Sequence, residues 1–243
     1  MAVTRTVDEP TPGSDEISRA CEEGWVGREG YLLADGTRQA KALAFLGTVT
    51  AADGRPHVEV FIVDLPNDLA REDAAELAGA ELTRLAPPAG VVQRRLTFTD
   101  ARSPRGVALA PRHWVRSSPD GEQLAFLMAD EAGRAQLWSV SPRGGEPRQI
   151  SRHAWSVASC FSWSPDGRWI AHAMDGSLFV TDTITGEGHR LTPARHGGDG
   201  PQAFACVFSP DGKHIAYTRR VGGHAQIFTV EFSETLNANP KRS

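Results

Sequence analysis

Five polar side chains between positions 112 and 199 have the types needed to hold an anionic ligand: Arg112, His113, His153, His196 and Asp199. An arginine presents a planar fork of donors that fits a carboxylate or phosphate, and histidine can donate a hydrogen bond or carry a proton near neutral pH. The three histidines are separated by 40 and 43 residues (113 to 153, 153 to 196). Those spacings carry no local metal-ligand signature. No Gly-x-Ser-x-Gly elbow, phosphate-binding loop or dinucleotide fingerprint is present, and Gly197-Gly198-Asp199-Gly200 is a lone glycine-rich loop. Cys160 and Cys206 fall in apolar strand patterns with no histidine at nucleophile spacing. The expectation is ligand binding at these five residues, with no catalytic residue assigned and no cofactor.

What places them is a repeat. Ser118-Pro119-Asp120-Gly121, Ser164-Pro165-Asp166-Gly167 and Ser209-Pro210-Asp211-Gly212 begin 46 and 45 residues apart (118 to 164 to 209). Proline fixes φ at the first central position of such a turn, aspartate bonds its own backbone, and glycine accepts positive φ. Behind each turn comes an apolar strand, at Gln123–Leu127, Trp169–Ala173 and His214–Thr218. A further strand follows at Ala135–Val140, Ser177–Thr181 and Ala225–Val230. Gln149-Ile150-Ser151 and Arg190-Leu191-Thr192 then close two units with a polar, an apolar and a hydroxyl residue. An earlier unit repeats the pattern with Ala42–Leu46, Val58–Val63 and Arg95-Leu96-Thr97, interrupted by a helical or loose insertion at Asp68–Leu85.

Four short strands per unit, with β-branched and aromatic residues and tight turns, is the pattern of a β-propeller blade. The expected fold is all-β, with about four blades in a partial ring. Residues 1–41 hold a strand stub and a helical excursion; 42–99 form the first blade with its insertion at 66–90. The next blades are 112–151, 158–192 and the three-stranded 203–232, followed by a tail at 233–243. Ser14-Asp15-Glu16 has the acidic first turn of a short helix reaching Glu23. Phe61, Trp138, Phe179 and Phe228 share one repeat position and are expected between blades. In a propeller the innermost strand runs along the central channel. Counting back from each turn proline puts His113, Ser159 and Phe204 in register, preceded by Arg112, Ala158 and Ala203. Arg112 and His113 are thus the polar pair of an otherwise small or apolar register, and the entering loops add His153, His196 and Asp199. His57, His172, His189, His214 and His224 show no convergent partners and are assigned structural or solvent roles.

The 243 residues carry a net charge of −4, with 40% hydrophobic and 23% charged side chains. That balance gives no electrostatic case for nucleic acid, which needs clustered Lys and Arg. No apolar run reaches the roughly 18 residues of a membrane span. Three cysteines make no disulfide framework, which fits a reducing, cytoplasmic setting.

The Ser-Pro-Asp-Gly turns with their flanking apolar strands resemble the repeats of the TolB C-terminal propeller, which are related to the propeller of oligogalacturonate lyase. Pro12–Ile17, Glu22–Gly27, Gly90–Thr99 and Pro111–Arg116 resemble the YidR family, a group of bacterial TolB-like proteins. The resemblance implies a longer protein with further blades ahead of this segment. It also implies an alternative to a binding role, an enzyme acting on acidic oligosaccharides with a divalent metal, although no full ligand set aligns onto this chain. The leading expectation is a non-enzymatic propeller that takes a protein segment or a small anionic molecule, with neither nucleic acid nor membrane as partner.

Overall fold

The computed structural model describes residues 2–67, 87, 90–107 and 114–233. Arg112 and His113, nearly all of the 66–90 insertion and the tail from 234 onward lie outside the described residues. The chain forms two compact units. One takes in residues up to Val107 together with Val115–Leu124 and Val140–Pro147; the other takes in Trp114, Ala125–Ser139 and the chain from Arg148 onward.

The first sheet contains β1 (Arg19–Trp25), β4 (Lys41–Thr50), β5 (Pro56–Leu65) and β6 (Val92–Arg95), antiparallel in that order. A small hairpin of β2 (Tyr31–Leu32) and β3 (Arg38–Gln39) stands between β1 and β4. The second sheet is β7 (Val115–Ser117), β8 (Leu124–Ala129), β9 (Ala135–Val140) and β10 (Arg148–Gln149). The third is β11 (Ser162–Trp163), β12 (Trp169–Met174), β13 (Ser177–Asp182) and β14 (Gly188–Arg190). The fourth has β15 (Val207–Phe208), β16 (His214–Val221) and β17 (His224–Glu231), with no fourth strand among the described residues. This is the all-β, propeller-type architecture that the repeat calls for.

Packing follows the period-2 alternation of the strands. In the second unit Ala171 and Ala173 of β12 and Leu178 and Val180 of β13 form one face, packed on Phe208, Ile215 and Tyr217 of the next sheet. On the other side Ala125, Leu127 and Leu137 meet Phe161 and Ile170. In the first unit Ile17, Phe45, Val49, Phe61 and Val63 make a separate cluster, with the Phe45 and Phe61 rings stacked at 5.6 Å.

Each Ser-Pro-Asp-Gly turn is built alike. The serine hydroxyl donates to the aspartate Oδ1, at 2.5 Å in Ser118–Asp120 and Ser209–Asp211, and the same bond joins Ser164 to Asp166. That hydroxyl also accepts the N–H five residues on, from Gln123, Trp169 and His214 at 2.9 to 3.0 Å. Gly121, Gly167 and Gly212 have φ of 81°, 75° and 73°, the left-handed region where a Cβ would be strained.

Strand closure repeats as well. Leu96, Ile150 and Leu191 each donate their N–H to the carbonyl of Val60, Leu137 and Leu178, all at 2.8 Å. The hydroxyl of the following residue (Thr97, Ser151 or Thr192) accepts the N–H of that same third-strand residue, at 2.8, 2.9 and 3.0 Å. In two sheets the residue before it joins in. Thr97 Oγ1 donates to Glu59, and Ser151 Oγ donates to Gln136 Oε1 at 2.7 Å. Thr99 and His153, two residues further on, donate their N–H to the same Glu59 and Gln136, at 2.8 and 3.0 Å.

The start of the chain departs from expectation. Ser14 to Glu23 is not a helix. The Glu16 carboxylate accepts from the N–H and hydroxyl of Thr11 at 2.9 and 2.8 Å, so the Ser-Asp-Glu pattern serves a turn and not a helix cap. The following residues instead form β1, paired with β4 through a bulge at Cys21 to Gly24 where Glu22 takes φ of 59°. The innermost strand of the first sheet is therefore β1; the strand stub expected at the start of residues 1–41 instead lies beside β6, where Arg5 and Gln93 exchange hydrogen bonds.

Ser151 is fully buried and both accepts and donates within the closure. Replacing Ser151 by alanine orphans the Leu137 N–H and is expected to cost about 1–3 kcal/mol in urea denaturation with an unchanged m-value. A loss under about 0.5 kcal/mol would contradict the closure as a stabilising contact.

Candidate functional site

The loop that leaves β14 and enters β15 holds two of the sequence-predicted residues. His196 precedes the 3-10 turn η1 (Gly197–Asp199), with extended backbone and no side-chain cap, and Asp199 ends that turn; both are exposed. The loop is drawn against the β12–β13 turn, where Arg195 donates its N–H to the Gly176 carbonyl at 2.8 Å. A Cβ on Gly176 or on Gly200 would meet the Arg195 carbonyl at 2.5 Å, so both positions require glycine for this approach.

Beneath the loop lies a recess of about 100 Å³ walled by Thr192, Pro193, Arg195, Pro201, Tyr217 and Arg219. Among the described residues no carboxylate lines it. The guanidinium of Arg219 sits 4.5 Å from the centre of the Phe228 ring, and its Nε is buried with no hydrogen-bond partner among the described residues. A buried guanidinium nitrogen without an acceptor is a standing cost that an anion would relieve. Arg219 shows no sequence signal beyond alternation along β16, and it was not among the residues expected at a site.

His153 is placed elsewhere, in the interior of the second unit. Its Nε2 lies 2.9 Å from Thr181 Oγ1, and His172 Nε2 reaches the same hydroxyl at 2.8 Å. The two rings are 5.6 Å apart. The hydroxyl can donate to one ring and accept from the other, so these two bonds form with both rings neutral, while His172 Nδ1 is buried with no hydrogen-bond partner among the described residues. Burial pushes the His153 pKa down, and burial together with the neighbouring His153 lowers His172 from 6.5 to about 3. His172, expected to lack convergent partners, thus has two.

His57 has partners as well, contrary to expectation. Alternation along β5 puts His57 and Glu59 on one face, with His57 Nε2 3.0 Å from Glu59 Oε1 and 3.6 Å from Asp100 Oδ1. The three side chains have ligand atoms within 4.8 Å of one another, the geometry of a cation site. Arg95 already fills it, with Nη2 3.0 Å from Glu59 and 2.7 Å from Asp100. Glu59 also holds the closure position that a neutral Gln136 holds in the next sheet. The cluster is accordingly a charged version of a repeated strand closure, neutralised by arginine, and a divalent ion would have to displace that arginine.

For the histidine pair the sign of the pH effect is set by the lowered pKa values. The unfolded chain takes up protons below about pH 6.5, while the folded pair resists them, so stability present above 6.5 is lost as pH falls toward the folded values. Between pH 6.5 and 4.5 the wild type should lose up to about 1.4 kcal/mol per pH unit for each such group. In a His172→Gln variant the slope should be measurably shallower in urea titrations over that window. An identical slope would contradict the buried neutral pair.

No protein-family model matches the chain. It is 46% identical over 220 residues to YidR of Escherichia coli (strain K12), an alignment covering 89% of this chain and 50% of the relative. It therefore spans about half the length of that protein. The Tol-Pal system protein TolB of Nitratidesulfovibrio vulgaris is 32% identical over 125 residues, 48% of this chain and 27% of the relative. The crystal structure of TolB from Acinetobacter baumannii superposes with a TM-score of 0.50 at 20% identity, over 86% of this chain and 41% of that one. The long identity with YidR and the shared fold agree with the repeats and their closures: the chain is similar to YidR over 89% of its length and has a TolB-like β-propeller fold.

Proposed function

We propose that this chain is a binding module rather than an enzyme, and that it receives an anionic group, carried by a small molecule or by a protein segment. The observation that carries this reading is the recess under the Thr192–Pro201 loop. There Arg195 and Arg219 line a cavity in which, among the described residues, no carboxylate stands and Arg219 Nε is buried without an acceptor. A guanidinium held against an aromatic face is partly oriented before a ligand arrives, which lowers the entropy cost of capture. Arg112 and His113 belong to the same reading as further anion-binding groups, and His196 and Asp199 as polar residues on the loop over the recess.

Other features fit a binding role. Among the described residues the one grouping of potential metal ligands is occupied by Arg95, so the reading invokes no cofactor. Net charge of −4 argues against nucleic acid. No described helix is long and apolar enough to cross a membrane. The three cysteines are free thiols, in keeping with a reducing, cytoplasmic setting. The N. vulgaris relative is named as a protein of the Tol-Pal system, which supports a partner-binding role for the fold.

Calorimetric titration with inorganic phosphate tests the reading. Binding should saturate, and Arg219→Gln should weaken it by about tenfold, the loss of one charge-assisted hydrogen bond, with Arg195→Gln adding to the effect. Substituting Arg112 and His113 together should also weaken capture while leaving the thermal melt unchanged. Phosphate affinity unaltered by Arg219→Gln would overturn the recess as the site.

A further inference from the structure

One position decides how each strand closure is completed. Glu59, Gln136, Ser177 and Gln226 share a place on the third strands, directly before Val60, Leu137, Leu178 and Ile227. In the first sheet the Glu59 carboxylate accepts from the Thr97 hydroxyl, and from the Thr99 N–H and hydroxyl at 2.8 and 2.6 Å. In the second sheet Gln136 Oε1 accepts from the Ser151 hydroxyl at 2.7 Å and from the His153 N–H at 3.0 Å. Both sheets thus aim a hydroxyl, and the N–H two residues beyond it, at one side-chain carboxylate or carboxamide. The fourth sheet has no closing strand among the described residues.

The third sheet has the donors without the acceptor. Thr192 Oγ1 accepts the Leu178 N–H at 3.0 Å, as Thr97 and Ser151 accept theirs. Ser177, however, carries no carboxylate or carboxamide, and its buried Oγ accepts from Arg190 instead. Among the described residues nothing accepts the Thr192 hydroxyl proton or the Ala194 N–H. Thr192 walls the recess described above, and so do Pro193 and Arg195 on either side of Ala194. Arg190 stands where Arg95 stands in the first sheet, but it is already paired with Asp175. The positive charge at the recess comes from Arg195 and Arg219. Water serves a lone exposed donor well; two guanidinium groups beside such donors favour an anion.

We infer that the anionic group of the binding site proposed above is a carboxylate, seated against the third-sheet closure as the Glu59 carboxylate is seated in the first; this rests on the recess being that site. One carboxylate oxygen accepts from the Thr192 hydroxyl and the other from the Ala194 N–H. Arg195 and Arg219 supply the charge that Arg95 supplies to Glu59. At about 100 Å³ the recess admits the end of a ligand and not its body. The ligand is therefore a small carboxylic acid, or a longer molecule that presents a carboxylate at its end.

The test titrates the full chain, isotopically labelled for amide NMR, with acetate, with N-acetylglycine and with the uncharged N-acetylglycinamide. Both carboxylates should shift the Ala194 amide saturably, and the neutral amide should not. Tighter binding of N-acetylglycine places the carboxylate on a longer molecule and equal binding places it on a small acid; each supports the inference. Ser177→Gln supplies the acceptor that Gln136 supplies, without adding charge, and should weaken acetate binding about tenfold. Ser177→Ala leaves the acceptor missing and should bind like wild type. Ser177 is fully buried, so thermal melts accompany both variants, and the comparison of the three ligands needs no variant. The inference is overturned if Ala194 does not respond to acetate, or if N-acetylglycinamide shifts it equally. It is overturned as well if a Ser177→Gln chain with a cooperative melt binds acetate like wild type. Phosphate binding that depends on Arg219, beside an Ala194 amide silent to acetate, overturns the carboxylate and leaves the recess as the site; no binding of either anion ends both.

Discussion

A backbone amide buried in the middle of the third strand of three sheets must find an acceptor, and the way this chain supplies one organises much of its structure. An unpaired buried N–H costs on the order of 1–3 kcal/mol. At Val60, Leu137 and Leu178 the acceptor is a side-chain hydroxyl from the closing segment, while the carbonyl of the same residue takes that segment's own N–H. The outer strands are short, two to four residues, so a regular ladder alone has few bonds with which to hold them. The hydroxyl ends the ladder and satisfies the last amide at once. The chain then turns away at the residue after it.

The closure also explains where charge is tolerated. Glu59 and Gln136 do the same geometric work, but the carboxylate is fully buried and needs compensation. Arg95 provides it, arriving on the closing strand itself and bonding to Glu59, Asp100 and the Thr97 carbonyl. A group of His, Glu and Asp that has the spacing of a metal site is thereby explained by the needs of a sheet edge. In the interior of the second unit the equivalent need is met without charge. His153, whose backbone N–H completes the Gln136 closure, turns its ring inward to share the Thr181 hydroxyl with His172.

Much of the architecture was legible in the sequence because its determinants are local. Ser-Pro-Asp-Gly names a turn whose hydrogen bonds all fall within six residues, and the apolar strands behind it alternate with period 2. The polar-apolar-hydroxyl tripeptides were visible as closing segments, although their partners were not: Thr97 reaches Val60 across 37 positions, and nothing in either neighbourhood announces the pairing. β1 was misread for a related reason. Ser14-Asp15-Glu16 has the form of a helix start, but pairing with β4 and a bulge at Glu22 override that preference, and such pairing is a tertiary fact. Of the residues expected at a site, His196 and Asp199 share a turn, while His153 belongs to an internal network. Arg219 escaped notice because one arginine on an alternating strand looks like any solvated charge; its distinction lies in Phe228 beneath it and in the acceptor it lacks.

The claim on which the rest depends is that one closure geometry recurs in three sheets and, among the described residues, has no closing strand in the fourth. Amide hydrogen exchange on the native chain, read residue by residue, tests it most directly. The Val60, Leu137 and Leu178 amides should exchange about a hundredfold or more slowly than the Ile227 amide, since three are held by a hydroxyl and the fourth faces solvent at a strand edge. Comparable protection at all four positions would contradict the account, as would rapid exchange at any of the first three.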